Sequence, residues 1–150
     1  KLSSLNNIRL ELVEQLNIGL KNYNFLNIPT GRESCKSTYY VYPLRYNDEM
    51  IDIRRQEFVS AINAEGIQFY QGYVKPLYLQ PVYQKKYLFN KGYPFTAIEN
   101  KECKQEYSLG NCSIAEKLHF KQMIINEHIR APHTDEDIKD IILAIKKTVD

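Results

Sequence analysis

From Gln71 to Gly110 the chain keeps neither the period of two that marks a strand nor the 3.6 that marks a helix, although the segments on either side are strongly patterned. The stretch from Glu65 to Lys86 leads into it. Here Pro76 and Pro81 lack a backbone donor, Gly66 and Gly72 permit positive φ, and Tyr70, Tyr73, Tyr78 and Tyr83 carry large rings with polar tips. So long an irregular span is uncommon inside a compact domain, so it is either functional or ordered by something it packs against. Rings this dense, left free in water, would make an apolar patch larger than a soluble monomer usually shows. The stretch therefore covers a neighbouring surface or walls a site.

The rest of the chain can supply one such surface. Its 150 residues fit one domain, and a globule of that size buries roughly 70% of what its unfolded chain exposes. Apolar residues make up 43% and charged ones 25%, and no apolar run approaches the roughly 20 residues of a membrane span, so a soluble protein without a membrane partner is expected. The net charge of +2 is interspersed, which argues against nucleic acid as a partner; a single-strand binder stacking bases on tyrosines would need a basic groove that the sequence lacks. Cys35, Cys103 and Cys112 match neither a disulfide framework nor a zinc site, and read as reduced thiols of a cytoplasmic protein with no metal. The start, Lys-Leu-Ser-Ser, has no initiator Met and no apolar signal segment, and reads as a cut within a longer chain.

In chain order, Leu5, Ile8, Leu12, Leu16 and Leu20 form one stripe of an amphipathic helix from Ser3 to about Lys21. Pro29 and Gly31 mark a loop. Tyr39–Tyr46 is aromatic enough for a strand with Tyr40, Tyr42, Leu44 and Tyr46 on one face, and Pro43 favours an edge or a bulge. A second helix is expected over 53–65, capped by Asp52, with Phe58, Ala61 and Ile62 inward and Gly66 as its left-handed stop. A short strand then covers 67–70. Ser113-Ile114-Ala115-Glu116 reads as a capping box opening a short helix to about Phe120, and Gln122–Ile129 as a buried strand. Thr134 caps a last helix with Ile138, Ile141, Ile142, Ile145 and Val149 along one stripe. Acids in its first turn and Lys146 and Lys147 in its last complement the helix dipole. The sum is an α+β fold, a small sheet of about three strands covered by helices on one face.

Candidate reactive groups are isolated. Lys75, among tyrosines and prolines, could act as an amine nucleophile if desolvated, but no partner is placed for it, and a surface lysine is the plainer reading. The hydroxyls of Tyr73, Tyr78 and Tyr83 could line a ligand site, though packing alone would also explain the rings. His119, His128 and His133 lack a carboxylate or serine at telling spacing. Cys112 could gain from a helix N-terminus, with burial the simpler reading. No catalytic constellation stands complete in these residues.

The order of the motifs carries more than any one of them. Ile8-Arg9-Leu10-Glu11, Phe25-Leu26-Asn27-Ile28-Pro29, Tyr39-Tyr40-Val41-Tyr42-Pro43-Leu44-Arg45, Glu65-Gly66-Ile67, Gly72-Tyr73-Val74-Lys75-Pro76-Leu77-Tyr78, Cys112-Ser113-Ile114-Ala115-Glu116-Lys117-Leu118 and Thr134-Asp135-Glu136-Asp137-Ile138 together resemble the C-terminal part of the DegT/DnrJ/EryC1/StrS family. These are pyridoxal-phosphate-dependent sugar aminotransferases of the aspartate aminotransferase (type I) fold. Two positions depart from the family pattern. Tyr40 stands where many relatives carry a His, and Cys112-Ser113 stands where Cys-Pro is common.

The resemblance implies that residues 1–150 form a single C-terminal small domain, with the large cofactor-binding domain and its catalytic lysine upstream. The full-length protein would be an aminotransferase using pyridoxal phosphate, while this chain alone would be inactive and would not bind the cofactor. Its partners would be its own large domain, a second copy in a homodimer, and two substrates. Glutamate or glutamine would donate the amino group to a keto sugar, commonly nucleotide-linked, in amino-sugar or cell-surface polysaccharide biosynthesis. Tyr40, Tyr42, Tyr73, Lys75 and Tyr78 are the candidates for the substrate wall. Read without the resemblance, the residues also allow a free-standing α+β module that binds a small molecule or a protein through its Tyr-rich loop.

Overall fold

The computed structural model of the chain describes residues 1–150. Four strands, β1 (Leu26–Asn27), β2 (Tyr42–Tyr46), β3 (Tyr70–Gln71) and β4 (Met123–Asn126), form one sheet in the order β1-β2-β4-β3, antiparallel throughout. Five helices accompany them: α1 (Leu2–Leu20), α2 (Arg55–Ala64), α3 (Pro81–Gln84), α4 (Ser113–Lys117) and α5 (Asp135–Val149). The fold class is the expected α+β layer. The sheet gains a fourth strand because β1 is two residues long, too short to show any period in sequence.

Alternation decides which face of the sheet is covered. Tyr42, Leu44 and Tyr46 of β2 and Ile124 of β4 point one way, and they join Leu12, Leu16 and Leu20 of α1, Phe58 and Ile62 of α2, and Ile138, Ile141 and Ile145 of α5 in one cluster of 18 buried residues. Gly19 lets α1 and α5 approach closely, since any Cβ there would collide with the Ile142 side chain. Pro43, Met123 and Ile125 point the other way, toward the π-helical turn Leu118–Gln122 and two open cavities. Pro43 lies in an inner strand, yet β1 reaches only Arg45 and Tyr46, so its missing N–H interrupts no ladder on that side.

Several local expectations shift by a residue or a turn. The first three members of the α1 stripe divide: Leu12 is buried, while Leu5 and Ile8 are exposed. Helix α2 starts at Arg55 rather than near Asp52. Its cap is Arg54, whose backbone N–H and guanidinium both bind the Glu57 carboxylate, which gives Glu57 the return role of a capping box. Val59 is buried in place of Ala61, which is exposed. Gly66, at φ +89°, ends the helix as expected, with the Ile67 N–H bound to the Ile62 carbonyl in a Schellman-type closure. Residues 67–69 are held by a side chain rather than a ladder: the Asn63 carboxamide donates to and accepts from the Phe69 backbone at 3.1 and 2.8 Å. At α5, Thr134 gives both its N–H and its hydroxyl to Asp137, at 2.7 and 2.8 Å.

Candidate functional site

Tyr39 adopts φ +44°, a left-handed conformation unusual for a bulky residue. The turn takes Tyr40 out of the alternation that β2 obeys from Tyr42 onward. Tyr40 is thus 62% exposed, while Tyr42, two residues on, is 1% exposed. The expectation that Tyr40 and Tyr42 share one face of the strand is corrected here. The Tyr42 hydroxyl donates to Asn17 Oδ1 of α1 at 2.7 Å, and burial, with Tyr39 nearby, pushes its ionisation well above the usual tyrosine range. Tyr42 is a core residue whose polar tip is satisfied inside.

Tyr40 instead meets the irregular segment, its hydroxyl sharing a 2.6 Å hydrogen bond with the hydroxyl of Tyr73. That bond, then partial burial and the charge of Glu127, raise the Tyr73 hydroxyl above its ordinary value of 10.0. Tyr73 is placed by the residue before it. The Gly72 N–H donates to the Met123 carbonyl at 2.7 Å, extending the β3–β4 ladder. Gly72 has φ +69°, and a Cβ there would stand 2.7 Å from His119 Nδ1 and 2.9 Å from the His119 carbonyl oxygen. Only glycine fits.

His119 belongs to the π-helical turn, which Arg55 braces from α2. The guanidinium donates to the carbonyls of His119 and Met123 at 3.1 Å each and of Phe120 at 2.7 Å. Two of these carbonyls belong to the end of the turn, and the third, that of Met123, opens β4 and also accepts the Gly72 N–H. Burial, with the positive charges of Arg55 and Lys75 close by, lowers the His119 imidazole from its ordinary value. Lys75 is exposed at the entrance to this corner.

Tyr78 is tied elsewhere. Its hydroxyl donates to Glu116 of α4, and the same carboxylate oxygen accepts the Gly110 N–H at 2.8 Å and the Cys112 N–H at 3.4 Å. Burial and this bond push the Tyr78 hydroxyl up to about 12, and the same bond holds Glu116 below the usual carboxylate value. The expected capping box is therefore different in detail: Cys112, not Ser113, is the cap residue, the Ser113 hydroxyl makes no capping bond, and Glu116 reaches back past it. Cys112 is exposed rather than buried.

The structure thus brings Tyr40 and Tyr73 together, with Lys75 at the adjoining corner, sets Tyr78 as a strut and Tyr42 in the core. Sequence reading missed Arg55 and Glu127. Arg55 gives no local signal because its partners lie 64 to 68 positions away. The positive-φ glycine of this corner makes no phosphate cradle, because Gly72 presses on the His119 imidazole.

Known proteins share this fold. DesV of S. venezuelae, solved in complex with a ketimine intermediate, superposes with a TM-score of 0.73 at 19% identity over 99% of this chain and 33% of its own. An aminotransferase from Psychrobacter cryohalolentis gives 0.71 at 14% identity, over 97% of this chain and 34% of its own. PseC of Helicobacter pylori, an aminotransferase involved in the biosynthesis of pseudoaminic acid, gives 0.63 at 17%, over 98% and 33%. In sequence, the uncharacterized protein MJ1066 of Methanocaldococcus jannaschii is 26% identical over 141 residues, 94% of this chain and 31% of that protein. The chain spans about a third of the length of these relatives. The solved structures show the fold, that of a part of the type I aminotransferases, and the family model of the DegT/DnrJ/EryC1/StrS aminotransferases matches residues 1–110. The chain belongs to the DegT/DnrJ/EryC1/StrS aminotransferase family.

Proposed function

We propose that the chain acts as the C-terminal small domain of a pyridoxal-phosphate-dependent aminotransferase that moves an amino group from glutamate or glutamine to a keto sugar, nucleotide-linked, in amino-sugar or cell-surface polysaccharide biosynthesis. The cofactor, when bound, supplies the electron sink for moving the amino group and belongs to a large domain preceding residue 1. The protein works in the cytoplasm as a homodimer; no helix of this chain is long and apolar enough to cross a membrane.

The observation that carries this reading is the half-open face of the sheet, where Tyr40, Tyr73 and Lys75 present polar tips around apolar ground, on a chain of aminotransferase ancestry. These three residues orient the sugar; Tyr78 acts on them only through the path of the 73–78 segment that it anchors. Tyr42 has no contact with substrate. The test is direct. The natural gene product, expressed with its upstream region and supplied with pyridoxal phosphate, should show a visible internal-aldimine band that borohydride abolishes. An intact, folded product with no such band contradicts the proposal.

A further inference from the structure

Beside the Tyr40–Tyr73 pair lies a cavity of about 300 Å³ lined by Tyr70, Gln71, Gly72, Tyr73, Val74, Ile125 and Glu127. Its floor is apolar, formed by the buried Ile125 on the face of β4 turned away from the helices, with the rings of Tyr70 and Tyr73 as walls. Its volume is at the small end for ligand sites and suits a single ring. Glu127 is the one charged group in the lining. It is half-buried, one residue past the end of β4, and makes no ion pair.

The donor and acceptor inventory then restricts the occupant. A carboxylate accepts and cannot donate, and the two tyrosine oxygens, joined by one hydrogen bond, keep acceptor lone pairs and one free O–H. The wall is therefore rich in acceptors and carries a negative charge. A ring offering hydroxyl or ammonium donors is matched, and a carboxylate is repelled by Glu127.

We infer that Glu127 is a specificity-determining residue, which makes the cavity beside Tyr73 select a hydroxylated ring bearing an amino or hydroxyl group and exclude one bearing a carboxylate. This rests on the reading of Tyr40 and Tyr73 as substrate wall. The carboxylate has no structural partner to satisfy, and it stands where a bound ring would meet it.

The experiment uses three monosaccharide probes on the natural gene product with its upstream region, D-glucosamine, methyl α-D-glucoside and D-glucuronate, followed by amide chemical shifts. Glucosamine should shift the signals of Tyr73, Val74 and Glu127 and bind about fivefold more tightly than the glucoside, the size expected of a partly exposed charge pair. Glucuronate should shift none of them. Glu127→Gln, which keeps the shape and removes the charge, should bring all three probes to within about twofold of one another, and Glu127→Ala should do the same if the charge alone matters. Equal binding of glucuronate and glucoside by the unsubstituted chain, an unchanged ranking in E127Q, or no shift at these residues with any probe would overturn the inference. The aldimine test is independent of it. A correct ranking without an aldimine leaves a sugar site on a protein that is not a transaminase, and an aldimine without the ranking removes only the role of Glu127.

Discussion

The helix-covered layer and the excursion from Leu77 to Cys112 are both rich in aromatic residues, yet their rings are used differently. In the layer, Phe25, Tyr46 and Phe58 meet at centroid distances of 5.0 to 5.6 Å and are all but removed from solvent. The Tyr46 hydroxyl is satisfied by the Ile53 carbonyl at 2.6 Å, and burial, with Asp48 and Glu57 nearby, pushes its ionisation up to about 12. In the excursion, Tyr83, Phe95 and Tyr107 meet at 5.2 to 6.4 Å but stay half-buried. Tyr87, Leu88, Phe89 and Tyr93 face solvent. What differs is the backbone. Helices and strands present rings at fixed intervals to one shared surface, whereas the excursion satisfies its backbone piecemeal, through side chains such as Gln84 on the Tyr78 and Tyr107 carbonyls and Asn100 on the Pro94 carbonyl. Aromatic content makes a core only where a periodic backbone aims it.

The largest effect expected is in the layer. Phe58→Ala should cost about 3–5 kcal/mol, because a fully buried ring leaves a cavity among Phe25, Tyr46 and the sheet. Urea unfolding measures it, and a cost near that of a surface substitution would erase the distinction between the two regions. Gly72→Ala tests the joint between them. Positive φ alone makes alanine unfavourable by about 1–3 kcal/mol, and the contact with His119 adds to that; the Met123 and His119 amide signals should move with the loss.

Tyr83→Ala should leave the urea midpoint nearly unchanged while speeding proteolytic cutting between residues 85 and 105, since local opening of the excursion does not need the layer to unfold. Equal protease resistance in the variant would make the excursion part of the main core. The smallest effect is one of pH. Glu116 ionises below its ordinary 4.5 because it accepts from Tyr78, Gly110 and Cys112. Its contribution is therefore fully present above the unfolded value and is lost as pH falls through the lower folded one. Acid should accordingly loosen the excursion, seen as faster amide exchange at Gly110 and Cys112, and Glu116→Gln should abolish that step. Asp137, held down by Thr134, follows the same sign at the start of α5.

Much of the layer was legible in the residues. The stripes of α1 and α5, the left-handed stop at Gly66 and the alternation Tyr42-Leu44-Tyr46 all repeat within a few positions, so sequence distance and spatial distance coincide. The family resemblance was legible for another reason, since it rests on the order of several short motifs along the chain, and the family model matches residues 1–110. The caps at Asp52 and Ser113 were misplaced by one or two residues because the acids Glu57 and Glu116 could serve more than one neighbour.

What the sequence determined by itself is which segments carry a buried face, because that depends on periodic burial and on glycine's conformational freedom. The tertiary structure alone decided what Tyr40 and Tyr42 do. Two residues apart and alike in chemistry, they are separated by the positive φ of Tyr39, which sends one hydroxyl into the core and the other to Tyr73. It likewise decided the roles of Arg55 and Glu127. The partners of Arg55 and the cavity beside Glu127 are assembled from chain positions more than fifty residues distant, and no local pattern encodes a meeting of that kind.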